Sequence, residues 1–482
     1  MRIGLLPVLF LAVSTVRAAE PVDLSRLELF VDHHLIERLE GAELRLQQPR
    51  PAGAALAFDR AWEGAFCGYV TVFHDPANKM FRMYYRGLPE AGRDGSPTET
   101  TCYAESRDGI HWSKPELDIY EVADNRANNV VLKDQTPASH NFSPFVDTRP
   151  SVPADERYKA LGGTSESGLI AFVSGDGLHW RRLQTEPVFR DEGWVFDSQN
   201  VPFWSPAEAK YVLYYRRSPE GVRSVARATS EDFVHWSAPA QMTFGDVPAE
   251  HLYTNQTHPY FRAPHIYVGI AARFMPGRKV LTEEQARAIH VDPRYFGDIS
   301  DAVLLTTRGG DRFDRTFMEA FVRPGIGWEN WTSRTNYPAL GVVQTAPAEM
   351  SFYVQRNYGQ PTARLDRYAL RLDGFASAHA GYGGGELVTR PVVWPKATDG
   401  KSRELFLNYS TSAAGGVRVE IQGADGTVVP GYALDDCQEL IGDEIERVVT
   451  WKGGSDLAAL AERPVRLRFV LKDADIYSLQ AR

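Results

Sequence analysis

Along most of the chain, short apolar runs rich in aromatic and β-branched residues alternate with clusters of Gly, Pro, Asp and Asn. Runs of this kind bounded by turn formers predict strands. Apolar residues at helical spacing are scarce, and one candidate helix falls at residues 282–289. The strands predicted in this way recur as a unit. The first copy has FRMYYRG (81–87) and then YAESRDGIHW (103–112), the second RYKALGG (157–163) and IAFVSGDGLHW (170–180). The third has KYVLYYRR (210–217) and ARATSEDFVHW (226–236), the fourth HIYVGIAARF (265–274) and VLLTTRGGDRFDR (303–315), the fifth SFYVQRNY (351–358) and RYALRLDGFAS (367–377).

Each unit ends in a related turn whose aromatic residue is Trp112, Trp180, Trp236, Phe313 or Phe375, about 56 to 77 residues apart, enough for a four-stranded blade with its loops. In that turn Asp108 and Asp176 can accept hydrogen bonds from the local backbone, Gly109 and Gly177 tolerate positive φ, and the aromatic packs back on the hairpin. Five such units in register predict an all-β, five-bladed β-propeller. Beyond Phe375 the pattern changes. AGYGGGE (380–386) reads as a linker, and ELFLNYSTS, VRVEIQ, RVVTW and VRLRFVLKDADIYSLQ alternate without the blade turn. This predicts a C-terminal antiparallel β-sandwich packed on the propeller. The expected divisions are a signal peptide at 1–18, the propeller at 19–378 and the sandwich at 385–482.

The signal-peptide expectation rests on Arg2, the short apolar stretch at residues 3–13, and small residues at Val16 and Ala18 before a cut near Ala18. No later run reaches the roughly 18 to 20 apolar residues of a spanning helix. Together these imply a secreted or periplasmic protein without a transmembrane segment. A net charge of −9 argues against nucleic acid as partner, because phosphate binding depends on an excess of Lys and Arg. The three cysteines, Cys67, Cys102 and Cys437, lack metal-site spacing. Cys67 and Cys102 fall in neighbouring predicted strands, as a disulfide or as two reduced core thiols.

A propeller presents the start of each innermost strand, with the loop before it, at one end of its axis. Four carboxylates fit that position: Glu63 in AWEGAFCGYVTV, Asp147 in FVDTRP, Asp197 in WVFDSQNVPFW and Glu349 in QTAPAEMSFYV. Glycoside cleavage needs one protonated and one ionised carboxyl group, so these are the candidate catalytic residues. Gln199 and Asn200 beside Asp197 suit sugar hydroxyls. His258 and Arg262, in a segment rich in His, Asn, Tyr and Arg (251–269), and Trp331, Arg334 and Asn336, in NWTSRTNYPALG (330–341), complete the candidate substrate-binding set. For each of these the structural alternative is a turn cap, an ion pair or blade packing. No metal ligands are assigned and no cofactor is expected, with an ion on the propeller axis left open.

In architecture, and in the stretches DGIHW, FDSQN and DADIYS, the chain resembles the clan of five-bladed propeller glycosidases formed by families 32 and 43, and most of all bacterial proteins similar to the family 32 N-terminal domain. The turn is also similar to the sialidase Asp-box, although sialidases have six blades. The resemblance implies a glycoside hydrolase acting on an extracellular poly- or oligosaccharide. Asp147 in FVDTRP stands where that family has its R-D-P segment, and FDSQN (196–200) where it has its acid. The family 32 nucleophile motif has no counterpart, since HDPANK (74–79) reads as a hairpin turn. A non-catalytic carbohydrate-binding propeller, and a polysaccharide lyase using His, Tyr and Arg, remain alternatives. Oligomeric state is left open.

Overall fold

The computed structural model describes residues 20–90, 95–397 and 402–482, so the expected signal peptide lies outside the described residues. Five four-stranded antiparallel sheets form the blades of a propeller. Blade 1 is Gly68–Asp75, Met80–Gly87, Thr100–Ser106 and Val130–Leu132, from the axis outward. Blade 2 is Ser143–Val146, Tyr158–Thr164, Gly168–Ser174 and Arg181–Arg182. Blade 3 is Val201–Ser205, Lys210–Arg217, Ser224–Ser230 and Ala240–Gln241. In blade 4 the long strand Ala263–Met275 pairs on one edge with Leu252–Thr254 and His258–Tyr260, and on the other with Ile299–Thr307. The candidate helix is Glu283–Ala288, with a Thr282–Gln285 capping box.

Each second strand is flanked by sheets on both faces, which explains its unbroken apolar run. Tyr211, Val212, Leu213, Tyr214 and Tyr215 all have no exposed surface, and burial on both faces favours continuous rather than alternating hydrophobicity. The blade turns hold as their residues suggest. Asp176 Oδ1 accepts from the backbone N–H of Leu178 and of His179, both at 2.8 Å, while Ser174 Oγ accepts from Gly177 N at 2.9 Å. Asp108 and Asp232 repeat the arrangement.

Tyrosines latch neighbouring blades together. Tyr84 of blade 1 donates to Gly177 O in the turn of blade 2 at 2.9 Å, and Tyr353 of blade 5 donates to Gly109 O in the turn of blade 1. This last bond crosses the seam where the ring closes. At the same seam a Cβ on Gly341 (φ 113°) would lie 1.8 Å from Val72 O, so only glycine allows the inner strands of blades 5 and 1 to approach.

Blade 5 combines Val343–Ala346, Glu349–Arg356 and Arg364–Arg371 with an outer strand from the N-terminal part of the chain, Arg50–Ala57. The second unit is a ten-stranded sheet folded over its own core, which includes Trp394, Trp451, Val419 and Phe469. Its long central strands are Leu405–Gly423 and Val465–Ala481. Four further strands come from residues 22–46, so the sandwich draws on both ends of the chain rather than on 385–482 alone. Those strands carry no blade turn, and their partners lie hundreds of residues away. Asp373 and Arg262 join the two units: Arg262 pairs with Asp373 at 2.8 Å and with Glu446 at 3.2 Å. Cys67, Cys102 and Cys437 are buried free thiols. Among the described residues no helix is long and apolar enough to cross a membrane.

Candidate active site

Strand direction decides what gathers at each end of the axis. Gly68, which opens the inner strand of blade 1, pairs with Arg86 near the end of the second strand. One end of the ring therefore collects the residues before each inner strand, the ends of the second strands, and the loops that follow them. At this entry end four blades place a non-glycine residue in left-handed backbone: Tyr69 (φ 51°), Phe196 (62°), Gln256 (52°) and Arg334 (57°). Such conformations cost about 1 kcal/mol or more each and persist where surrounding contacts over-determine them.

Those contacts form a floor across the axis. Gln199 of blade 3 donates to Thr71 Oγ1 of blade 1 at 2.6 Å and to Ser143 Oγ of blade 2 at 3.3 Å. Gln256 of blade 4 donates to Gln199 Oε1 at 2.7 Å and to Pro338 O, ahead of blade 5, at 2.9 Å. All five blades thus meet in one buried hydrogen-bond network.

Above this floor the cavity is walled by Tyr69, Arg86, Tyr253, Arg334, Tyr337, Gln355 and Tyr358. Arg86 stacks on the Tyr69 ring (4.8 Å to its centroid) and donates to Tyr358 Oη at 3.2 Å. His140 lies edge-on to the same Tyr69 ring at 5.3 Å. Its Nδ1 is 2.7 Å from Glu99 Oε1, a contact that requires a proton between the two atoms. Arg86 Nη1 lies 3.1 Å from His140 Nδ1 and 3.9 Å from Glu99. Opposite, Arg216 pairs with Asp197 and stacks on Trp194 (5.1 Å) and Tyr253 (4.7 Å). Glu99 is fully buried, whereas the Asp197 side chain is 21% exposed. Burial pushes the hydroxyls of Tyr337 and Tyr358 up, leaving both protonated at neutral pH. The cavity itself encloses about 20 Å³, and a separate cleft of about 920 Å³ runs along blade 4, lined by His251, Phe274, Arg278 and Trp331 among others, with Phe274 packed on Tyr253 of the cavity wall.

Of the residues expected from the sequence, Arg334 lines the entry cavity, Asp197 stands beside it through Arg216, which stacks on Tyr253, and Trp331 lines the cleft along blade 4, its indole donating to Gly325 O at 2.9 Å. Asp147 and Glu349 lie at the other end of their blades. Asp147 follows the inner strand of blade 2, and Glu349 opens the second strand of blade 5. The repeat FRMYYRG, RYKALGG, KYVLYYRR is the second strand of each blade, not the innermost. In an antiparallel sheet a shift of one strand moves a preceding loop to the opposite end. Asp147 is closed off by Lys159 (3.0 Å) and Tyr211 (2.6 Å), whereas Glu349, paired with Arg367 (2.8 Å) and Arg50 (3.0 Å), is 25% exposed and lines a separate cleft of about 240 Å³.

Glu63 is buried near the outer edge of blade 1, bound by Tyr85 Oη and Lys114 Nζ, both at 2.6 Å. Asn200 donates to Phe196 O and Ser198 O, and Asn336 to Ser300 O and Asn330 O, so both amides hold backbone. His258 is enclosed: Nδ1 is 2.9 Å from Gln256 O, and Nε2 accepts from Val342 N. Arg262 belongs to the interface with the second unit. Gln199 is part of the floor. Among the described residues no group of three or more His, Cys, Asp or Glu is arranged to hold a metal ion.

The sequence reading passed over Arg86, Glu99, His140, Arg216, Arg223 and Tyr253. One signal for the arginines was present. FRMYYRG, KYVLYYRR, HIYVGIAARF and SFYVQRNY each carry an Arg near the end of the second strand, at Arg86, Arg216, Arg273 and Arg356. Glu99 sits in a loop and His140 ends a single 3-10 turn (Ala138–His140), where no periodicity marks them.

No family model matches the chain, and no curated protein sequence matches it. Among solved structures it is similar to a glycoside hydrolase at 12% identity, over 67% of this chain and 92% of that one, with a TM-score of 0.45. It is also similar to a family 43 arabinoxylan arabinofuranohydrolase from Bacillus subtilis at 10% identity, over 88% and 96% of the two chains, with a TM-score of 0.43. A fructofuranosidase from Schwanniomyces occidentalis follows at 12% identity, over 95% and 98%, with a TM-score of 0.37. At such identities and TM-scores, function has to be read from the entry cavity itself.

Proposed function

We propose that the protein is a glycoside hydrolase whose reaction takes place in the entry cavity, with Asp197 and the Glu99–His140 pair as its two working centres. One observation carries this reading. The Glu99–His140 pair and the Asp197–Arg216 pair belong to different blades, yet both border Tyr69 at the axis. Cleaving a glycosidic bond requires a proton for the departing oxygen and an ionised group for the sugar carbon or for water. In this reading His140, oriented by Glu99, hands over the proton. Asp197, the more exposed carboxylate, acts as base or nucleophile. Trp194, 47% exposed, offers aromatic surface to the sugar, a usual component of polar-ligand pockets. The substrate is a poly- or oligosaccharide, and the signal-peptide reading places the reaction outside the cytoplasm.

The test is a panel of oligosaccharides and polysaccharides assayed for new reducing ends. Asp197→Asn, Glu99→Gln and His140→Gln are expected to lower kcat by about 100-fold or more, in the range typical of proton-transfer groups. Asp147→Asn, assayed at a temperature where it is folded, is expected to keep wild-type turnover. Undiminished turnover in Asp197→Asn and Glu99→Gln would overturn the assignment. A new reducing end accompanied by an unsaturated, ultraviolet-absorbing non-reducing end, formed without uptake of water, would make the protein a lyase instead.

A further inference from the structure

Three guanidinium groups crowd one ring. Arg216, Arg223 and Arg334 lie 4.7, 5.3 and 5.7 Å from the centroid of Tyr253. Aromatic faces attract each cation, but the three positive charges repel one another. Asp197 answers Arg216. Among the described residues no carboxylate forms an ion pair with Arg223 or Arg334. What surrounds Arg334 is aromatic: besides Tyr253 it stacks on Tyr295 (4.9 Å) and Tyr358 (6.0 Å). Arg223 stacks on Trp194 (4.8 Å) and Phe274 (4.8 Å). Arg216 is 1% exposed, yet its Nε and Nη1 have no hydrogen-bond partner among the described residues. Buried donors left in this way normally have a partner. The surplus of positive charge is local, since the chain as a whole carries −9.

We propose that the sugar taken by this cavity carries an anionic group, a carboxylate or a sulfate ester, and that Arg223 and Arg334 bind it. The inference rests on the reading of the cavity as a sugar site and names the class of sugar. Planar guanidinium forks match carboxylate and sulfate oxygens in pairs, which a neutral hydroxyl cannot do. Arg334 is held in left-handed backbone at φ 57°, which fixes its placement at the cavity. Arg223 stacks on Phe274, in the wall of the blade 4 cleft, and on Tyr253, in the wall of the cavity, so it lies between the two.

Calorimetric titration of the full-length protein with three sets of oligosaccharides tests this: uronate-containing, the same chains with the carboxyl groups reduced to alcohols, and sulfated. The expected result is that one anionic set binds at least 100-fold more tightly than its neutral counterpart, with affinity falling as salt is raised. Arg334→Gln and Arg223→Gln should each weaken that binding about 10- to 100-fold, and Arg334→Lys should recover part of it, with the thermal midpoint unchanged. Which anionic set binds separates carboxylate from sulfate.

Equal affinity for charged and neutral sugars, or no loss in both Gln variants, would overturn the inference. Failure here is separable from failure of the hydrolase reading. Neutral sugars bound and cleaved would sink only the anionic inference. Acidic sugars bound but left intact would sink only the hydrolase.

Discussion

The Tyr211 hydroxyl of blade 3 donates to Oδ2 of Asp147 at the end of the inner strand of blade 2, at 2.6 Å, and so ties the two blades at the seam. The same device joins blades 1 and 2, where Tyr158 donates to Asp75 at 2.5 Å. Between blades 3 and 4, Tyr267 donates to Glu208 at 2.7 Å. An acid at the exit end of a blade is therefore a fastening between blades, with a basic side chain beside it: Lys159 for Asp147, Arg82 and Arg157 for Asp75, Arg227 for Glu208.

Removing Asp147 should weaken the fold and spare the chemistry. Lys159 is 2% exposed and would lose its nearer carboxylate, keeping only Glu156 at 3.4 Å. Breaking a buried ion pair from one side costs about 3 to 5 kcal/mol. Urea unfolding of Asp147→Ala is expected to show a loss of that size, while turnover per folded molecule stays at the wild-type level. A loss below about 1 kcal/mol would contradict the fastening.

Closure of the ring by the N-terminal strand makes a second prediction. Leu56 pairs with Leu365 across the outer edge of blade 5 and is 6% exposed, in the cluster that includes Tyr353 and Val70. Leu56→Ala should cost about 2 to 5 kcal/mol, the range for a buried Leu in a core. An exposed position elsewhere would change stability by about 0.5 kcal/mol or less. Thermal and denaturant unfolding measure the difference.

His258 gives the fold a pH dependence. Burial lowers its pKa below the usual histidine value, outweighing the hydrogen bond to Gln256 O, and its Nε2 must stay unprotonated to accept from Val342 N. The unfolded chain therefore binds the proton more readily than the folded one. The stabilisation is complete above the unfolded value, about pH 6.5, and is lost as pH falls through the lower folded value. Urea midpoints of the wild type and His258→Gln, followed from about pH 8 to about pH 5, should converge as the pH drops. A gap that stays constant would show that His258 does not titrate in this way.

Local patterning settled much of the architecture. The turns of blades 1 to 3 are short-range structures, complete in residues such as Ser174, Asp176 and Gly177, so their repetition is legible without reference to distant residues. The doubly buried second strands announced themselves as apolar runs for the same reason. What local pattern does not contain is which strand lies innermost, because the inner and second strands of a blade are both largely apolar and buried. That single displacement is why Asp147 and Glu349 lie at the end of the axis opposite the starts of the inner strands.

The N-terminal strands were invisible for a related cause. Arg50–Ala57 and residues 22–46 acquire their role only from partners near residues 364–371 and beyond 376. The entry cavity is likewise a product of closure. Arg86, His140, Asp197, Arg216, Tyr253 and Arg334 are spread across the whole propeller sequence. Only the bending of five sheets round one axis sets their charges and rings side by side, where pairing, burial and repulsion can act between them.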